Sequence, residues 1–320
     1  MRRQLTFACG NYDRTRALID GTVKPDGLEL KWLMMPHDEM WSRMLYHYEF
    51  DASELSLSSY IIARTANKPL IAIPIFPARA FRHSYIFINT ESGVKQPKDL
   101  KGKKVALKEF QQTATVWLRG ILAQEYGVAV EEIHWLEWAR GRSMEMEIPS
   151  RYDIHRLPQG SSADRLLING DIDGLMCTSL LPTLAKGHPN ICRLFENYQE
   201  VEAAYFKRTG IFPIMHTVVM REELWRTCPW IGPSLFKAFQ ESKELAYRNA
   251  NDLSPYKLSM AWSREPLREQ CDILGEDPWS NGLEANRKTV ETLIGYVYEQ
   301  GLTDKKLDVE ELFAPNTLSL

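Results

Sequence analysis

The stretch GVKQPKDLKGKKVALKEF, Gly93 to Phe110, marks a change in the character of the chain. Its first half is rich in turn formers, and its second half carries a short apolar strand, Lys104 to Leu107. The run TATVWLRGILAQEYG, Thr113 to Gly127, then reads as an amphipathic helix closed by Gly127. The same alternation extends in both directions. Upstream, QLTFAC (Gln4–Cys9) alternates and breaks at Gly10, a short helix ends near Gly21, and LELKWLMM (Leu28–Met35) is a second strand. Downstream, EEIHWLEW is a strand region, and SSADRLLINGDIDGLMCTS reads as helix, turn at Gly170 and strand through Gly174–Cys177. Beyond GIFPIMHTVVM (Gly210–Met220) the pattern is mostly helical. Strands alternating with helices predict an α/β fold with largely parallel sheets. A first block runs to residue 86, a second covers 87–215, and the helical end returns to the first. The expected lobes are therefore 1–86 plus 216–320, and 87–215, with two hinge crossings and a central cleft. The crossings fall near Arg82–Ile88 and Phe212–Val219.

Bulk properties narrow the function. The 320 residues suit two domains, and 44% hydrophobic with 25% charged content is ordinary for a folded globular chain. A net charge of −3 gives no field that would gather nucleic acid or an anionic membrane. The N-terminal MRRQLTFACGNYDR lacks the apolar core of a leader, and PLIAIPIFPA (Pro69–Ala78) is too short and proline-rich to span a bilayer. A cytoplasmic location is the expectation. Five scattered cysteines without CxxC spacing argue against a disulfide framework or structural zinc. Cys9 and Cys177 stand out because each ends an apolar strand. There is no Gly-rich phosphate loop, no GxGxxG, no GxSxG and no HExxH, so no cofactor is predicted. The adjacent pair His37–Asp38 and the helically spaced His47–Asp51 make weak metal signals, and a divalent ion would need ligands drawn from distant residues.

Charged and polar groups at the two crossings are the chemical anomaly. RAFRHSYIFIN, Arg79 to Asn89, sets two arginines and a histidine directly before an apolar strand. Arg82 could hold a carboxylate through two parallel hydrogen bonds, or brace the lobes; Arg79 has the same two readings. His83 and His216 could exchange protons, or be satisfied core histidines. Arg14, in the loop after the first strand, is a second candidate clamp, since open α/β sheets place ligands at strand C-termini. Gln111, Gln112 and Thr113 lie at a helix N-terminus, where free N–H groups favour anions, though Thr113 could equally serve as a cap. Trp117 is a cleft wall or core, and Ser58 in SLSSY is a ligand hydroxyl or part of a cap.

SGVKQPKDLKGKKVAL, LLINGDIDGLM and GLTDKKLDVEELF resemble segments of the type II periplasmic-binding-protein fold. FRHS, TATVWLRGIL, GIFPIMHTVV and DPWSNGLEANRKT, taken together, resemble the 4,5-dihydroxyphthalate decarboxylase family over essentially the whole chain. The resemblance implies loss of CO2 from 4,5-dihydroxyphthalate to give protocatechuate, with a small aromatic dicarboxylate as the only required partner. Such chemistry needs a proton for the ring carbon, a base for the para hydroxyl and a cationic clamp. His83, His216 and Arg82 are the catalytic candidates, and Arg14, Ser58, Gln112, Thr113 and Trp117 the substrate-binding ones. The rival readings are an exported solute-binding protein for an aromatic acid, and another ring-acid lyase on the same scaffold. An exposed apolar face on the C-terminal helices would support a homo-oligomer.

Overall fold

The computed structural model describes residues 2–138, 144–158, 160–252, 254 and 258–320. Among these, eleven strands follow in chain order: β1 (Arg3–Ala8), β2 (Leu28–Leu33), β3 (Ala52–Ser56), β4 (Leu70–Arg79), β5 (Ile86–Asn89), β6 (Lys104–Leu107), β7 (His134–Glu137), β8 (Ile154–Arg156), β9 (Gly174–Met176), β10 (Ile191–Arg193) and β11 (Ile214–Arg221). They form a five-stranded sheet, β2-β1-β3-β11-β4, and a six-stranded sheet, β10-β5-β9-β6-β7-β8. The chain divides into two compact units. The first comprises Met1–Arg79, Ile214–Glu291 and Leu307–Leu320, and the second Ala80–Pro213 and Thr292–Lys306.

In the first unit β1 is parallel to β2 and β3, as the strand–helix alternation predicts, but β11 runs antiparallel to both β3 and β4. The chain leaves this unit at Arg79 and returns at Ile214, the residue paired with Arg79. A strand that starts beside the end of its neighbour has to run the opposite way. Pro74 and Pro77 lie in β4, the edge strand, where a missing N–H is tolerated. Opposite them the β11–β4 register shifts on both sides of His216. Leu5, Phe7, Ile71, Ile73, Val218 and Met220 form the core, closed by Ile231, Leu235 and Phe239 of the helix Ile231–Ala250.

The second sheet is parallel through β6, β7, β8 and β9, with β5 antiparallel to β9 and β10 antiparallel to β5. Its core includes Phe87, Ala106, Leu167, Leu175 and Leu184. The boundaries differ from the expected 86 and 216, and Thr292–Lys306 belongs to this unit rather than the first. The reason is an interlock at the C-terminal end of the helix Arg287–Glu299. Tyr296 meets Trp117 edge-on at 5.4 Å, and four residues later Gln300 Oε1 accepts from Arg119 Nε at 3.0 Å and Nη2 at 2.7 Å. Among the described residues no helix is long and apolar enough to cross a membrane.

Gly120 is what allows the Tyr296 contact, because a Cβ there would lie 2.2 Å from the ring. Alanine normally gains about 1 kcal/mol over glycine inside a helix. Here the buried ring has nowhere to go, and overpacking costs typically 1–3 kcal/mol. Gly120→Ala should therefore lower the urea midpoint; an unchanged or raised midpoint would contradict this packing.

Candidate functional site

Three parallel strand ends and one antiparallel strand start share an edge of the first sheet. The chain segments after β1 and β2 and the first residues of β11 converge there, the usual place for ligands on such sheets. The centre is Glu54, a residue for which the sequence reading has no role. Every residue of β3 is buried, and Glu54 is wholly so. In the β3–β11 register Glu54 faces Val218 and His216 faces Ser56, so Glu54 and His216 are diagonal neighbours on one face. His216 Nδ1–H donates to Glu54 Oε1 at 2.5 Å. The register shifts in β11 flank His216, and bulges of this kind re-aim a side chain beside a site.

The loop after β1 supplies the other donors. Gly10 N–H and the Cys9 thiol donate to Glu54 Oε2 at 2.8 and 3.3 Å, and the Tyr12 hydroxyl donates to Oε1 at 2.7 Å. Tyr12 folds back over Gly10 so closely that a Cβ on Gly10 would sit 2.6 Å from its ring. Thr15 holds the loop, accepting from Tyr12 N–H at 2.9 Å and donating to Gly10 O at 3.1 Å. His37 opens the helix His37–His47, with Nε2 3.0 Å from the Tyr12 hydroxyl and 3.6 Å from Glu54 Oε2. Trp41, one turn on, lies against the rings of His37 at 5.4 Å and His216 at 4.9 Å.

The electrostatics follow from burial. Burial alone would raise the Glu54 carboxyl, but the charge and hydrogen bond of His216, then those of His37, hold it well below the usual carboxylate range. Burial first, and the Glu54 charge second, push the Tyr12 phenol and the Cys9 thiol upward. Both stay protonated at neutral pH and serve as donors. Cys9 is therefore not a thiolate nucleophile, and Cys177, pushed up to about 12 by burial, is not one either.

Of the expected site residues, His216 meets this carboxylate, and Arg14 lies beside Tyr12, one of its donors. Arg14 lies 4.5 Å over the Tyr12 ring, whose hydroxyl is on Glu54, and 5.2 Å from the ring of Trp279. Its Nε donates to Pro77 O at 2.6 Å, and its Nη1 pairs with the exposed carboxylate of Asp13 at 3.0 Å. Ser58 is in the first unit too, wholly buried in the first turn of the helix Leu57–Thr65. Arg79 braces the end of β4, donating to Ser280 O at 2.7 Å and to Asn286 Oδ1.

The other expected residues, Arg82, His83, Gln112, Thr113 and Trp117, belong to the second unit and are buried in it. Arg82 leads into a short helical turn, His83–Tyr85, ahead of β5. Arg82 donates to Thr178 O at 3.1 Å and lies 4.6 Å over the Tyr85 ring; burial pushes it down to about 10. Gln112, not Thr113, holds the N-cap position of the helix Thr113–Tyr126, without a side-chain cap hydrogen bond; it donates to Glu109 Oε2 at 3.0 Å, and its Oε1 is buried without a partner among the described residues. Trp117 takes the core alternative, packed on Tyr296. His83 is 1% exposed amid Tyr126, Phe195 and Tyr205, and neither ring nitrogen has a partner among the described residues.

Comparison with known proteins agrees with this architecture. No family model matches the sequence. The chain is 36% identical to a 4,5-dihydroxyphthalate decarboxylase of Comamonas testosteroni over 98% of its own length and 97% of that protein's. The chain belongs to the 4,5-dihydroxyphthalate decarboxylase family. A second member, from Pseudomonas putida, is 32% identical over 63% of this chain and 81% of its own. This chain has a periplasmic-binding-protein-like fold. The periplasmic aliphatic sulphonate binding protein SsuA of Escherichia coli superposes with a TM-score of 0.58 at 14% identity, covering 99% of each chain. A protein of Archaeoglobus fulgidus gives 0.56 at 14% identity, covering 93% of this chain and 98% of its own.

His83 yields a prediction. Burial, followed by the charge of Arg208, pushes its pKa down to about 4, against about 6.5 when unfolded. The native state therefore binds fewer protons between these values. Its stability contribution is complete above pH 6.5 and falls by about 3 kcal/mol as pH drops to 4. His83→Leu should flatten the decline of the urea midpoint across that window; an unaltered decline would show that His83 is not the neutral core group described.

Proposed function

We propose that this chain decarboxylates 4,5-dihydroxyphthalate to protocatechuate and CO2. The observation that carries the reading is the 36% identity to a protein of that name along nearly the full length of both chains. The geometry around Glu54 supports it chemically. A hydroxyl para to the departing carboxylate activates the ring when its proton is drawn off. His216, its Nδ1–H fixed on Glu54, directs the opposite ring nitrogen as the base, and Glu54 stabilises the imidazolium that forms. The ring carbon then takes a proton from solvent and its bond to the carboxylate breaks as CO2 leaves, the freed electron pair restoring the aromatic ring. Arg14, one tyrosine ring away from Glu54, is the clamp for the carboxylate that stays.

A cytoplasmic location fits this reading. All five cysteines are free, as a reducing compartment would keep them.

The test follows CO2 release from 4,5-dihydroxyphthalate. The wild-type chain should turn it over. His216→Ala and Glu54→Gln should each lower kcat by about a hundredfold or more while substrate still binds. Arg14→Ala should act mainly by raising KM. A chain that binds the diacid without releasing CO2 would be a binding protein, and undiminished turnover in folded His216→Ala would remove the proposed base.

A further inference from the structure

The residues at the carboxylate have a second capacity. His37, Glu54 and His216 each offer a ligand atom, and these atoms all lie within 4.8 Å of one another. Two ligands of a tetrahedral zinc-class ion with bonds of about 2.1 Å lie about 3.4 Å apart. Closing the widest separation takes a shift of about 1.4 Å, and His37, whose side chain is 38% exposed, can move that far. The Cys9 thiol, 3.3 Å from Glu54 Oε2, and the Tyr12 hydroxyl, 2.7 Å from Oε1, border the same point. Nitrogen, oxygen and sulfur together favour a borderline cation such as Zn2+ over Mg2+ or Ca2+, which prefer oxygen alone.

We propose that His37, Glu54 and His216 form a site for a divalent transition cation of the Zn2+ class, and that occupancy of this site blocks turnover. His216 and Glu54 already touch, so the ion enters by taking the place of the proton they share. That proton passes to solvent, and the pair can no longer act as a base. The binding stands on the geometry alone; the inhibition rests on the decarboxylase reading.

The test titrates ZnCl2 and MgCl2 into chelator-treated protein by calorimetry, with initial rates of CO2 release measured in the same buffer. An exposed group, His134 and His155 on either side of Asp153, could also take zinc, so the background is His155→Ala. One Zn2+ per chain, no Mg2+ binding, loss of turnover in step with occupancy and recovery on adding chelator are expected. His37→Ala, its folding checked by circular dichroism, should weaken Zn2+ binding at least tenfold. Absence of Zn2+ binding, binding unaltered in folded His37→Ala, or a rate that Zn2+ leaves constant or increases would overturn the proposal. Zn2+ binding of the expected kind in a chain without turnover would support the site and remove the decarboxylase reading instead.

Discussion

A carboxylate buried on the central strand of its sheet organises the first unit. Taking the Glu54 charge out of water would cost several kcal/mol if it were left alone, and only matched donors on all sides offset that. The partners come from three separate stretches: the donors Cys9, Gly10 and Tyr12 after β1, the ion-pair partner His37 after β2, and the donor His216 in β11. The site and the fold are thereby the same problem. Without the antiparallel return of β11 next to β3, the carboxylate would lack its strongest partner, and the imidazole would lack the group that orients it.

The second unit handles charge by another route. Its buried cations are met by carbonyls, amides and rings. Arg119 donates to Phe110 O at 2.6 Å and to Gln300, and lies 3.6 Å over the Phe110 ring; burial pushes it down to about 9. Arg82 is held by Thr178 O and the Tyr85 face in the same manner. Neutral partners leave such a cation less compensated than a carboxylate would, and its retention depends on close enclosure. That is why a segment as remote as Thr292–Lys306 is tied to this unit: Gln300 completes the shell of Arg119 and Tyr296 covers Gly120.

Fold and chemistry are specified by different residues. A sulphonate-binding protein shares the architecture at 14% identity, so the arrangement of strands tolerates almost complete replacement of side chains. A reactive cluster tolerates far less, because it requires a few groups at hydrogen-bond distance. Tyr12 reaches Glu54 only because Gly10 has no side chain.

The sequence by itself determined the α/β class, most element positions, the lack of phosphate-loop and zinc-ribbon spacing, and the family. Periodicity and turn residues are local signals, and they survive in β1, β2, β6, the helix Thr113–Tyr126 and the strand Gly174–Met176. It also singled out His216 and Arg14. It did not yield Glu54, although an acid amid the apolar and small residues of ASELSLS is the kind of anomaly that marks a buried site. Nor could it separate His216 from His83, since both are histidines beside apolar strands. Only the tertiary structure distinguishes them: one meets a carboxylate through a diagonal pairing between strands 162 residues apart, and the other meets three aromatic rings. Which partner a titratable group finds is fixed by long-range register, and register across that much intervening chain leaves no local trace in the sequence.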